Sequence, residues 1–174
     1  MMKKLLVLFS LLMLAVLPAI AEQFADQHEH KSCSYCGMNR VKFAHSRMLI
    51  EYEKADPVAT CSIHCSAIDL AVGIEKTPKK IQVADYNSHQ LIDAESAHWV
   101  VGGKKKGVMT MRAKWAFADK KAAEAFVAEN GGIIIDFDHA MRAAYEDMYK
   151  DTTMIRKKRQ MKKMKIQQMK KGEM

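Results

Sequence analysis

The sequence contains none of the motifs that usually build a common catalytic centre. Among its 174 residues there is no Ser-His-Asp order, no glycine-rich phosphate-binding loop and no paired-carboxylate motif. No substrate chemistry can therefore be assigned to any group of side chains. We expect a binding protein rather than an enzyme.

The chain also lacks an apolar run long enough to span a bilayer comfortably. The run Leu5–Leu17 follows Lys3 and Lys4, and the small residues of an A-x-A site end at Ala21. This order predicts a secretory signal peptide, residues 1–21, cleaved after Ala21, rather than an uncleaved anchor. No cysteine follows the cleavage site, so a lipid anchor is not indicated. We expect an exported protein.

Acidic residues are missing from a long basic stretch near the C-terminal end of the chain. Nine lysines and arginines and no acid fall between Arg156 and Lys171. Export excludes nucleic acid as a partner of this basic tail. Three interpretations stay open: contact with anionic lipid head groups at a membrane surface, contact with an acidic partner protein, or a solvated, partly frayed helix.

Strand-type and helix-type spacing of apolar residues follow each other in the same order twice along the mature chain. We predict an α+β fold in which two sequential strand-strand-helix-strand (ββαβ) repeats pack together, followed by a C-terminal helix and the basic tail. The predicted organisation is a signal peptide at 1–21, a flexible leader at 22–31, a first ββαβ repeat with the cysteine motifs at 32–96, a second ββαβ repeat at 97–137, and the C-terminal helix with its tail at 138–174.

Cysteine is scarce, and its four copies form two pairs. Cys33 and Cys36 form a C-x2-C motif before the first strand, and Cys61 and Cys65 form a C-x3-C motif where the second strand meets the first helix. Two thiol pairs on two backbone turns can converge on one metal ion, and a position in the first helical turn, as for Cys65, favours the thiolate.

The spacing of these cysteines also allows two other uses. A disulfide within one or both pairs is compatible with export. A thioredoxin-like redox motif fits less well, because the C-x2-C motif precedes a loop rather than opening a helix within a βαβ unit.

The residues around the cysteines bear on the choice of metal. Four thiolates suit Zn(II), whereas thiolate together with thioether selects Cu(I). Met38 lies two residues after Cys36, and Met109 and Met111 lie in the GVMTM loop of the second half. His64 is either a further ligand or a helix-surface imidazole. The predicted metal ligands are Cys33, Cys36, Met38, Cys61, His64, Cys65 and Met109, with Met111 as the alternative to Met109.

Several segments resemble the NosL family, the copper-binding accessory proteins of nitrous oxide reductase. They are CSYCGM, QVADYNSHQLIDAESAHWVVGG, and VMTMRAKWAF followed by an alanine-rich helix and Gly131-Gly132. The resemblance implies a periplasmic Cu(I) chaperone, with nitrous oxide reductase as the copper recipient during assembly of its copper–sulfide centre. The upstream copper donor is unknown.

The resemblance also implies which residues hold copper. Family members use a cysteine of the C-x-x-C-G-M region, here Cys33 or Cys36, and a methionine of the second-half loop, here Met109. Two features depart from the family pattern. Many members carry a lipoprotein cysteine after the signal peptide, and the plainest members lack the motif Cys61–Cys65.

Overall fold

In the computed structural model, which describes residues 24–172, seven strands form two antiparallel sheets accompanied by four α-helices. The predicted α+β class with a C-terminal helix is confirmed, whereas the predicted signal peptide lies outside the described residues. The elements in chain order are α1 Ala25–Glu29, a 3-10 helix Ala44–Ser46, β1 Met48–Tyr52, β2 Val58–Thr60, α2 Ile63–Val72, β3 Pro78–Ala84, β4 Leu91–Asp93, β5 His98–Val101, β6 Lys114–Phe117, α3 Lys120–Asn130, β7 Ile133–Ile135 and α4 Phe137–Gly172.

The first sheet has the strand order β2-β1-β3-β4, so that β1 lies near its middle. Because side chains alternate between the faces of a strand, Met48, Ile50 and Tyr52 of β1 are buried and the residues between them are half-buried. Met48 pairs with Thr60 of β2. This register places the end of β2, and with it Cys61, beside the start of the central strand.

The second sheet has the order β6-β5-β7 and is joined to the first at one point. Asp85 and Ala116 form a parallel bridge, the backbone N–H of Tyr86 donates to the Ala116 carbonyl over 2.8 Å, and the Asp85 carboxylate accepts from the backbone N–H of Ala118 at 3.0 Å. The two sheets are therefore joined by this short hydrogen-bonded bridge.

The order of elements from β1 onward agrees with the sequence prediction except for β4, which was not predicted; helix α1 and the 3-10 helix before β1 were not predicted either. Leu91–Asp93 contributes only three residues, and its strand character comes from pairing with β3, in which Ile92 lies opposite Val83. Such a short segment has too little alternation to be recognised alone. Whether the two strand-strand-helix-strand sets are repeats of one another stays a prediction.

Helix α4 continues without a break for 36 residues. Its first half buries Ala140, Ala143 and Ala144 in a core that includes Trp99. The side chains of residues 156–170 are all exposed, so the basic tail is a largely solvent-exposed helix. No helix within residues 24–172 is both long and apolar enough to cross a membrane.

A buried ion cluster attaches the N-terminal segment to the body. The Asp26 carboxylate accepts from Arg40 Nη2 at 2.8 Å and from Arg47 Nε and Nη2 at 2.8 and 2.9 Å. Both arginines are fully buried, and Arg40 also donates to four backbone carbonyls. These bonds order helix α1, so Ala25–Glu29 is an anchored helix within the segment 22–31 that was expected to be a flexible leader. Apolar residues do not recur at helical spacing in this segment, so the sequence alone does not show that Asp26 anchors it. That role is visible only once Arg40 and Arg47 are seen beside Asp26.

Asp26→Asn is predicted to destabilise the fold, because it leaves two buried guanidinium groups without their shared counter-charge. Removing one member of a buried ion pair typically lowers the free energy of unfolding by about 3–5 kcal/mol, which urea denaturation would measure. Glu29→Gln, exposed on the same helix, is the control and should change stability by less than about 0.5 kcal/mol.

The effect of pH on this cluster has a definite sign. Burial raises the pKa of Asp26, but the hydrogen bonds and charges of Arg47 and Arg40 outweigh it and hold the pKa below its usual value. A lowered folded-state pKa means that the stabilisation is present above the ordinary aspartate pKa and is lost as pH falls through the folded-state pKa. A wild-type advantage over Asp26→Asn that persisted undiminished down to about pH 2 would contradict this account.

Candidate metal centre

The first thiol pair lies on a tight turn closed by backbone hydrogen bonds. The N–H of Cys33 donates to the Met38 carbonyl over 2.8 Å, and the N–H of Gly37 donates to the Cys33 carbonyl over 2.9 Å. Gly37 has a φ of +72°, in the left-handed region that glycine adopts without strain. The glycine of the C-x-x-C-G-M segment thus allows the chain to reverse directly after Cys36.

This turn is attached to the elements that carry the other two cysteines. Both the backbone N–H and the Oγ of Ser34 donate to the Ala59 carbonyl of β2, at 2.9 and 3.0 Å. The Tyr35 hydroxyl donates to Asp69 Oδ1 of α2 at 2.6 Å, and Tyr52 donates to the other carboxylate oxygen. The turn therefore has a fixed position relative to β2 and α2.

The second thiol pair lies where β2 ends and α2 begins. Ser62, the residue before the helix, has an extended backbone, and its carbonyl accepts from the N–H of Cys65 at 3.1 Å. The hydroxyl groups of Thr60 and Ser66 form a hydrogen bond of 2.7 Å across this junction. The change from strand to helix brings Cys61 and Cys65 to the same side, one helical turn apart.

The four sulfur atoms converge, and all of them lie within 4.8 Å of one another. The Sγ of Cys36 is 3.4 Å from that of Cys61, and the Sγ atoms of Cys61 and Cys65 are 3.8 Å apart. Thiolates arranged tetrahedrally around one ion at about 2.3 Å would be about 3.8 Å apart. In the described chain all four cysteines are free thiols. The cluster therefore has the dimensions of a single metal site.

The contacts among the thiols distribute their protons unequally. Hydrogen bonding from Cys36, Cys61 and Cys65 holds the pKa of the Cys33 thiol far below its usual value. Hydrogen bonding to Cys33 and Cys36, together with burial, raises the pKa of Cys61 and of Cys65. Hydrogen bonding with Cys33 raises the pKa of Cys36, but hydrogen bonding from Cys61 and Cys65 outweighs it, so the pKa of Cys36 is also lowered. The cluster thus favours thiolate on the Cys33–Cys36 turn, and a metal that takes all four sulfurs must displace the protons of the second pair.

Met109 lies against this cluster, in a loop of unusual backbone geometry. Its φ is +62°, a conformation that non-glycine residues rarely adopt. The loop is tightly closed, because a Cβ on Gly107 would come within 2.9 Å of the backbone of Ala113. Ser62 Oγ donates to the carbonyl of the preceding Val108 at 3.1 Å, which joins the loop to the start of α2.

The methionines predicted as ligands differ in their surroundings. Met38, Met109 and Cys36 pack, partly buried, against the apolar cluster that contains Cys33, Cys61 and Cys65. Met111 is 70% exposed. Met38 and Met109 therefore lie on the same core cluster as the thiols, whereas Met111, the alternative to Met109, faces outward.

His64 is buried rather than exposed on the helix surface. It is only 2% exposed, and its Nδ1 lies 3.6 Å from Asp151 Oδ2 of helix α4. Burial lowers the pKa of His64 more than the charge of Asp151 raises it, so the ring is neutral near pH 7. A pocket of about 170 Å³ adjoins it, lined by residues that include Cys36, Cys65 and Met109.

Two buried carboxylates near the site were missed by the sequence analysis. Asp69 is 1% exposed and Asp151 is 2% exposed. Asp69 carried a usable signal, because it lies four residues after Cys65 in an otherwise apolar helix and so shares its face. Asp151 carried none, because it joins the site from a distant helix in a strongly polar stretch.

We predict that one of the four cysteines, Cys36, reacts quickly with a thiol reagent and that the other three react slowly. Cys36 is half-buried, whereas Cys33, Cys61 and Cys65 are at most 3% exposed. In the reduced, metal-free protein, a polar aromatic disulfide reagent should react quickly with one thiol per chain and with four after denaturation. Cys36→Ser should remove the fast phase, and Cys33→Ser, the control, should retain it. Fewer than four thiols in denatured, unreduced protein would instead indicate a disulfide.

The fold and the site together define an α+β domain with a buried four-thiol candidate metal centre. A sequence profile of the NosL family matches residues 24–145, and the chain belongs to the NosL family. Among solved structures it is similar to the copper chaperone NosL from Shewanella denitrificans, with 25% identity, a TM-score of 0.49, and coverage of 62% of this chain and 87% of that chain. A search of curated proteins found no match. The described residues 146–172 lie beyond the family match.

Proposed function

We propose that this protein is a periplasmic copper chaperone that holds Cu(I) on sulfur ligands and supplies it for assembly of the copper–sulfide centre of nitrous oxide reductase. Membership of the NosL family supports this role, because the sequence resemblance associates the family with this task. The observation that carries the proposal is the convergence of four free thiols, with Met109 lining the adjoining pocket.

The donor set supports Cu(I) as the cargo. Thiolates and thioethers are soft ligands, and soft ligands prefer monovalent copper to harder divalent ions. Met109 and Met38 pack against the apolar cluster to which three of the thiols belong, rather than against the other core cluster, and this supports the proposal. The left-handed backbone of Met109 adds to this, because strained residues persist where surrounding contacts hold them and are concentrated at functional sites.

The graded exposure of the thiols suits a carrier that must also release its ion. Cys33, Cys61 and Cys65 are buried, whereas Cys36 is half-buried and lines the pocket that also reaches Met109. A ligand from a recipient protein can approach through this side, add to the ion, and displace one chaperone sulfur at a time. Such exchange requires no covalent chemistry, in accord with the lack of catalytic motifs.

Binding of Cu(I) tests the proposal directly. The reduced protein, titrated anaerobically against a chromogenic Cu(I) chelator, is expected to take up copper stoichiometrically. Combining Cys36→Ser with Met109→Ala should weaken binding by at least roughly 10- to 100-fold, the loss usual even for residues that only support ligands. Met111→Ala, on the same loop but exposed, is the matched control and should bind as the wild type does.

Delivery requires a separate assay with the recipient. Copper-loaded protein mixed with copper-free nitrous oxide reductase should transfer its copper, as measured by metal content after separation of the two proteins. Free Cu(I) held by the same chelator is the control. Transfer no faster than from the chelator would contradict the delivery role while leaving copper binding intact.

Zinc is the second candidate, and the closeness of the four sulfurs favours it. Sγ separations of 3.4 and 3.8 Å suit a closed tetrahedral site, which would make the protein an exported binding module stapled by zinc. Metal analysis of anaerobically purified protein distinguishes the two. One tightly held zinc, with unfolding on chelation, would support the module and contradict the copper chaperone.

We further propose that the exposed basic helix contacts the anionic surface of the membrane. Each basic residue near such a surface contributes about 1 kcal/mol. Replacing Lys162, Lys163 and Lys165 by glutamine should therefore weaken sedimentation with phosphatidylglycerol vesicles by roughly 100-fold at low salt. The same change at Lys104, Lys105 and Lys106, an exposed loop, is the control. Equal loss in both variants, or equal binding to neutral vesicles, would contradict a specific role of the helix.

A further inference from the structure

His64 and Asp151 are two buried polar side chains that face each other without completing a hydrogen bond. His64 Nδ1 and Asp151 Oδ2 are separated by 3.6 Å, and neither atom has a hydrogen-bond partner within residues 24–172. Leaving such groups unpaired in the interior typically costs about 1–3 kcal/mol each. An arrangement of this kind needs a reason other than stability.

The pair lies directly against the open side of the thiol cluster. His64 lies between Cys61 and Cys65 in the sequence, and it lines the pocket of about 170 Å³ together with Cys36, Cys65 and Met109. With Nδ1 turned towards Asp151, Nε2 is the ring nitrogen left for another partner. The groups that share this pocket with it are sulfur ligands.

We infer that His64 is a Cu(I) ligand on the pocket side of the cysteine cluster, acting with Cys36 or Cys65 and Met109, and that Asp151 is the residue that positions it. This inference rests on the proposed copper-binding function and adds to it a nitrogen ligand and the group that orients that ligand. A histidine that binds a metal through one nitrogen commonly donates its other N–H to a carboxylate, which fixes the tautomer and the ring orientation. Imidazole is among the ligands that suit copper.

Asp151 is itself held in a way that ties the histidine to the methionine loop. Its Oδ1 accepts from the backbone N–H of Met111 at 3.1 Å, while its Oδ2 faces His64. One carboxylate thus contacts both the imidazole and the loop that presents Met109. Displacing Asp151 would disturb two proposed ligands together.

The positioning group comes from a segment that the family match does not include. The match ends at residue 145, whereas Asp151 lies on the following part of α4. The same helix reaches the thiol turn, where Arg159 Nη2 donates to the Cys36 carbonyl at 3.2 Å. Helix α4 therefore covers the pocket side of the site with residues that belong to this chain's C-terminal part.

The tautomer of His64 tests the inference without copper. In the metal-free protein, long-range proton–nitrogen NMR should show the Nδ1-protonated ring for His64, with the exposed ring of His139 as an internal reference. Addition of Cu(I) should shift the Nε2 resonance of His64 and leave His139 unchanged. Asp151→Asn should remove the tautomer preference, and Asp151→Glu should restore it in part.

X-ray absorption of the copper-loaded protein supplies a second readout. The wild type should show imidazole scattering beside the sulfur ligands, and His64→Gln should lose it. Asp151→Asn should weaken Cu(I) binding by roughly 10- to 100-fold, whereas Glu146→Gln, an exposed carboxylate on the same helix, should not. If a variant fails to fold, the Nε2 shift in the wild type alone decides.

The outcomes separate this inference from the copper proposal. Stoichiometric Cu(I) uptake with sulfur scattering only, or with an unshifted His64 Nε2, would overturn the role of His64 and leave the chaperone proposal standing. Absence of Cu(I) uptake by the wild type would overturn both.

Discussion

The candidate metal centre depends on the bonds that attach the Cys33–Cys36 turn to the two elements carrying the other thiols. A free turn of this kind could direct its sulfurs in many ways. Here Ser34 bonds to the Ala59 carbonyl on β2, and Tyr35 bonds to Asp69 on α2. Because the turn is bonded to the strand and the helix beside the second pair, the contacts of the fold themselves bring the four sulfurs together. The ordering entropy is then part of folding rather than of metal binding.

Four preorganised thiols alone would form a closed site that exchanges its metal slowly. For metal release, the unequal burial of the four thiols therefore matters as much as the short distances between their sulfur atoms. Three thiols are buried, whereas Cys36 is half-buried at the edge, beside Met109 and a pocket. Met109 is held in a left-handed backbone conformation, which costs roughly 1–2 kcal/mol. The bond from Ser62 to the neighbouring Val108 carbonyl keeps this loop against the start of α2. The thiol cluster and the separately held Met109 loop thus both line one pocket.

The parts of this arrangement that were predictable from the sequence are those encoded locally. The C-x2-C and C-x3-C spacings, with the second pair at a helix start, predicted that two turns would present four thiols, and the spacing of apolar residues predicted the order of strands and helices in each half of the chain. The parts that were not predicted depend on contacts between residues that are distant in the sequence. Helix α1 depends on Asp26 meeting Arg40 and Arg47, and β4 exists because it pairs with β3. For His64, sequence reasoning left two alternatives open because its burial is set by a helix more than eighty residues later.

Helix α4 links the metal centre to the charged tail, because its docked first half nucleates the helix that the tail extends. Starting a helix is the unfavourable step, while extending one is nearly neutral for residues such as lysine, glutamine and methionine. The docked half of α4, with its buried alanines, supplies a preformed start, so the basic half continues as a largely exposed helix. Asp147 pairs with Lys114 at 2.7 Å and Asp151 accepts from the backbone N–H of Met111 at 3.1 Å, which fixes the helix to the C-terminal end of the methionine loop and to the strand β6 that follows it. The direction in which the tail projects and the position of the proposed thioether ligand are therefore set by the same set of contacts.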